Sequence, residues 1–125
     1  MYRPYNPNPV AARVGDCTVR ALCKALGQTW DETYMGLCLV GMELCDLPSA
    51  NAVWGAYLKR NGFQRRALPD TCPECYTVED FVRDHPGGPY AVALQSHVVA
   101  ADGGDYFDTW DSGGETAIYY WERVT

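Results

Sequence analysis

The sequence predicts an α+β domain, with a helical first half packed against an antiparallel sheet supplied by the second. Three features carry this prediction. Apolar residues recur at helical spacing from Asp16 to about Asn61. Beyond Gly87-Gly88 the chain turns to short runs rich in β-formers. Those runs are punctuated by Asp102-Gly103-Gly104 and Ser112-Gly113-Gly114, turn sequences that imply antiparallel neighbours. A length of 125 residues with 47% apolar content fits a single domain, 1-125, around one core. No repeat or low-complexity segment interrupts it.

Each element has its own warrant. From Asp16 to Leu26 the set Val19, Leu22, Cys23 and Leu26 marks one helical face, and Gly27 can end the helix in a left-handed conformation. Thr29-Trp30-Asp31-Glu32 is a capping box opening a second helix to about Leu44, which Asp46-Leu47-Pro48 breaks. Ser49 is the expected cap of a third helix, through Val53, Trp54, Tyr57 and Leu58 to Asn61-Gly62. A short strand follows over Phe63 to Leu68. Thr77 caps a fourth helix that stops near His85-Pro86-Gly87-Gly88. Four strands are expected at Tyr90-Leu94, Ser96-Ala101, Tyr106-Trp110 and Ala117-Arg123.

Composition narrows the function. A formal charge of −6 argues against nucleic acid as a partner, because readers of phosphate backbones present a basic face. Lys59, Arg60, Arg65 and Arg66 form one small basic cluster, read as a solvated face. No signal-like stretch opens the chain and no run of 18 apolar residues occurs, so the expectation is a soluble, cytoplasmic protein without a membrane partner. Six cysteines without an export signal are read as free thiols, with Cys23 and Cys38 as small core hydrophobes. Cys72-Pro73-Glu74-Cys75 lacks the second ligand pair of a structural zinc site and the strand-to-helix setting of a redox motif. It is read as a structural or incidental pair, with a zinc-stabilised interaction protein as the reading that metal analysis would expose. No metal or cofactor is expected.

The chemistry lies elsewhere. Cys17 falls in the first turn of the first helix, where unpaired N–H groups and the helix dipole stabilise a thiolate. Asp16 partly opposes this, so a strong shift needs an imidazolium. His97, on a strand about eighty residues on, can supply it. Asp108 lies on the next strand, where a hairpin can bring it onto the face of His97, and Asp111 is its rival for orienting the ring. Alone, each residue has a plainer reading, as a core thiol, a core histidine and a turn aspartate. Cysteine, histidine and carboxylate in this order, on these element types, are the parts of an activated thiol nucleophile.

In these segments the chain resembles the papain-like cysteine peptidase superfamily, in its small bacterial or phage-type form. The resemblance runs from about Asn6 to Trp121. Gly15-Asp16-Cys17-Thr18-Val19-Arg20-Ala21-Leu22 is similar to the nucleophile segment, Ser96-His97-Val98-Val99-Ala100 to the histidine strand, and Tyr106-Phe107-Asp108-Thr109-Trp110-Asp111 to the strand carrying the orienting residue and a tryptophan. It implies a helical lobe bearing Cys17 against a sheet bearing His97 and Asp108, favours Asp108 over Asp111, and places Trp110 over the His–Asp bond. The family's glutamine six residues before the cysteine is Ala11 here. An oxyanion donor would then come from the N-terminal arm, Asn8 in preference to Asn6. The implied activity is hydrolysis of a peptide, amide or isopeptide bond in a peptide or protein substrate. Acyl transfer with the same triad and a catalytically inactive papain-fold binding module are the alternatives.

Overall fold

The computed structural model describes residues 1–125 as an α+β fold of four helices and a six-stranded sheet. In chain order the elements are β1 (Tyr2–Pro4), α1 (Cys17–Leu26), α2 (Trp30–Leu44), α3 (Asn51–Arg60), β2 (Phe63–Ala67), α4 (Val78–Asp84), β3 (Tyr90–Leu94), β4 (His97–Asp102), β5 (Asp105–Asp108) and β6 (Tyr119–Arg123). Local chemistry sets most of the boundaries. Gly27 ends α1 at φ 65°, a conformation that costs little without a Cβ. Thr29 and Glu32 close a reciprocal capping box on α2, and Thr77 and Asp80 close another on α4. The third helix differs from expectation. Its N-cap is Ala50, which has no side chain to offer, and Ser49 sits one residue too early to cap it.

The sheet order is β1-β5-β4-β3-β6-β2, and the sheet is mixed rather than wholly antiparallel. β1 runs parallel to β5, with Tyr2 opposite Tyr106 and Pro4 opposite Asp108. Such a strand is hard to read from sequence, because it is three residues long and ends in proline, which an edge tolerates where a central strand does not. The Ser112-Gly113-Gly114 turn does not make a hairpin of β5 and β6. Instead the chain crosses over, and β6 inserts between β3 and β2, with Trp121 opposite both Ala91 and Arg65. The crossover has its own binding partner. The carbonyls of Gly113 and Glu115 accept from the N–H groups of Glu79 and Val78, in the first turn of α4, where no helical acceptor exists.

Period-two alternation divides the core between the two faces of the sheet. Ala91, Ala93, Val98 and Ala100 pack with α1, α2 and α3, whereas Val92, Leu94, Val99 and Ala101 pack with Val78, Phe81 and Val82 of α4. Small residues on the first face let α1 approach the strands closely. The reading of six free thiols is corrected here. Cys72 and Cys75 are joined in a disulfide across a short turn that holds their Cα atoms 4.2 Å apart, while Cys17, Cys23, Cys38 and Cys45 are free. No helix is long and apolar enough to cross a membrane.

Candidate active site

A tight hairpin and one helix-on-sheet contact bring the histidine to the thiol. The β3–β4 hairpin turns in two residues, Gln95 and Ser96, so that His97 opens β4 opposite Leu94. Cys17 opens α1, which packs along β4 through Val19 and Leu22 against Val98 and Ala100. Cys17 and His97 therefore face one cleft of about 490 Å3. Trp54, Ser49 and Asn51 of the α3 segment form another part of its wall.

The β4–β5 register pairs Ala100 with Phe107, so Asp108 falls diagonally across from His97 and on the same face. His97 Nε2–H donates to Asp108 Oδ2 at 2.6 Å, which leaves Nδ1 as the ring nitrogen for Cys17. Asp108 is fully buried, and every position of its carboxylate is used. Oδ2 also accepts from Ser112 Oγ at 2.8 Å, while Oδ1 accepts from the Thr109 N–H at 2.8 Å and from Arg20 Nη2 at 3.0 Å. Trp110 lies against the imidazole with ring centroids 5.0 Å apart.

Arg20 links this carboxylate to the helix of the nucleophile. It is buried on α1, and its Nη1 donates to Asp16 Oδ1 at 2.6 Å. The other oxygen of Asp16 accepts from Trp30 Nε1 at 2.9 Å. Asp16 consequently makes no side-chain cap for α1, and its charge is committed to the guanidinium behind the thiol.

These contacts set the protonation states. Burial pushes the Cys17 thiol up, but hydrogen bonds to His97, to the Val98 backbone and to Thr18, with the charge of His97, outweigh it and leave the thiol below its ordinary value. For His97, burial works against the charged ring, but the bonds and charges of Asp108 and Cys17 raise its pKa from 6.5 to about 9. Asp108 is likewise pushed up by burial yet held low by His97, Ser112 and Thr109. A thiolate beside an imidazolium is the arrangement these shifts favour.

Of the residues singled out in the sequence, Cys17, His97 and Asp108 meet. Asp111 does not join them; it is exposed and accepts from Tyr106 Oη and the Gly113 N–H. Asn8 stands outside the cleft, its Oδ1 accepting from the Val10 and Ala12 N–H groups in a local turn. Asn6 has both ends of its amide engaged, with the Ala12 carbonyl and the Asn8 N–H. Arg20 and Ser112 were not singled out. The signal for Arg20 was present, since a charged residue four positions after Asp16 within a buried helical face needs a buried partner. No family model, curated protein or solved structure matches this chain.

Proposed function

We propose that the protein is a cysteine hydrolase of amide bonds, a small papain-like peptidase or isopeptidase working through a thioester. One observation carries the reading: His97, held by Asp108 through Nε2 at 2.6 Å, lines the same open cleft as the Cys17 thiol at the start of α1. In the first step the Cys17 thiolate attacks the substrate carbonyl, the C–S bond forms and the carbonyl pair moves onto oxygen. Collapse of this oxyanion expels the amine, which takes its proton from the His97 imidazolium. Neutral His97 then removes a proton from water, water displaces the thiolate from the thioester, and the carboxylic acid leaves. Asp108 keeps the ring oriented and stabilises its charged form throughout. Apart from the catalytic pair, the cleft is lined by uncharged groups, among them Gly15, Thr18, Ser49 and Ser96, which suits a peptide that is neutral next to the scissile bond.

The test is the pH dependence of iodoacetamide alkylation at Cys17, read by peptide mass spectrometry in wild type and His97→Ala. Wild-type Cys17 is expected to react with an apparent pKa well below the free-thiol value of about 8.5, and His97→Ala to return it toward that value. Because the imidazolium persists until pH rises through about 9, turnover of a peptide library should fall on the basic side near that pH, as the general acid is lost. If Cys17 reacts like Cys45 with or without His97, the reading is wrong.

A further inference from the structure

Asn51 is the one side-chain amide among the residues lining the cleft that holds Cys17 and His97. Its orientation is determined by a neighbour on its own helix. Trp54 Nε1 lies 3.0 Å from Asn51 Oδ1, and an indole nitrogen can only donate, so the oxygen end of the amide faces Trp54. The indole is itself fixed. Trp54 is 1% exposed and packs against Tyr119 and Trp121 at centroid distances of 6.1 and 6.4 Å. The Nδ2 group is thereby left as the free end of a held amide, with no hydrogen-bond partner in the protein.

A second donor belongs to the nucleophile itself. Cys17 is the first residue of α1, so its N–H has no acceptor within the helix. The N-terminal arm offers no competing amide, because Asn6 is engaged at both ends and Asn8 is not part of the cleft. We infer that Asn51 Nδ2–H, together with the Cys17 N–H, holds the oxyanion that forms when Cys17 attacks a carbonyl. This inference rests on the proposed hydrolase chemistry of Cys17. It places the amide donor on α3, downstream of the nucleophile in the chain, and makes Trp54 the residue that positions it.

Two electrophiles separate this role from thiolate formation. Acylation by p-nitrophenyl acetate passes through a tetrahedral oxyanion: the C–S bond forms, p-nitrophenolate leaves, and acetyl-Cys17 remains. Alkylation by iodoacetamide forms a C–S bond and expels iodide with no oxyanion. The ratio of the two Cys17 rates therefore cancels any change in thiolate fraction. Asn51→Asp keeps an acceptor for Trp54 but removes the donors, and Asn51→Ala removes the donors without adding charge. In both variants the ratio is expected to fall at least tenfold, toward the roughly 10² to 10³ lost with one oxyanion donor. An unchanged ratio in both overturns the assignment and leaves the hydrolase reading standing. A fall in one variant alone overturns it too, by assigning the effect to the new charge or to the lost Trp54 contact. If wild-type Cys17 reacts with neither reagent faster than Cys45 does, the hydrolase reading fails and this inference with it.

Discussion

Asp108 and Asp16 are buried carboxylates on either side of one guanidinium, so Arg20 alone leaves this cluster with one excess negative charge. His97 stands against this cluster, and although burial opposes its charge, the hydrogen bonds and charges of Asp108 and Cys17 raise its pKa to about 9, so that a thiolate beside it has a cationic neighbour. Removing Arg20 would leave two desolvated carboxylates facing each other. Arg20→Ala is expected to cost about 3 to 5 kcal/mol, as breaking a buried charge network does, measured as a drop in the urea midpoint. A loss below about 1 kcal/mol would show that water replaces the guanidinium and that the network is not what holds Asp108 in place.

At the scale of elements, the cleft is assembled from the starts of α1, β4 and α3 and the end of β3, while α4 contributes nothing to its lining. Damage to α4 should therefore register in stability and not in chemistry. Thr77→Ala opens the capping box at its first turn and is expected to cost about 1 kcal/mol in urea denaturation, with Cys17 alkylation unchanged. A change in alkylation rate instead would mean that α4 reaches the cleft through the sheet. The four helices and the central strands were legible because capping boxes, periodicity and the Gly27 stop are local signals. His97 and Asp108 were legible as a pair because a hairpin fixes their relation within a dozen residues. Neither β1 nor the β6 insertion was legible, since each depends on partners far along the chain. Asn51 carried no signal either: an asparagine at a helix start reads as an ordinary helix-terminus residue until Trp54 is seen to hold its oxygen.

Across the whole molecule, the Cys72–Cys75 disulfide lies on the segment between β2 and α4, beside a different cavity from the cleft of Cys17 and His97. Its closed loop is so short that the entropy it removes from the unfolded chain amounts to about 2 kcal/mol at most. Reduction with dithiothreitol is expected to lower the urea midpoint by no more than that and to leave Cys17 alkylation within about twofold. A severalfold change in Cys17 kinetics would instead tie the two regions together. The parallel pairing of β1 with β5 has a bearing on how the protein is made. The Tyr5 N–H and Tyr2 Oη both bind the Asp108 carbonyl, the latter contact spanning 106 positions of sequence. Closing so long a loop is slow compared with winding α1, so the strand under the orienting carboxylate is tied down late in folding. Cys17 is therefore synthesised well before Asp108, and β1 has no partner to pair with until β5, some hundred residues later, has been made.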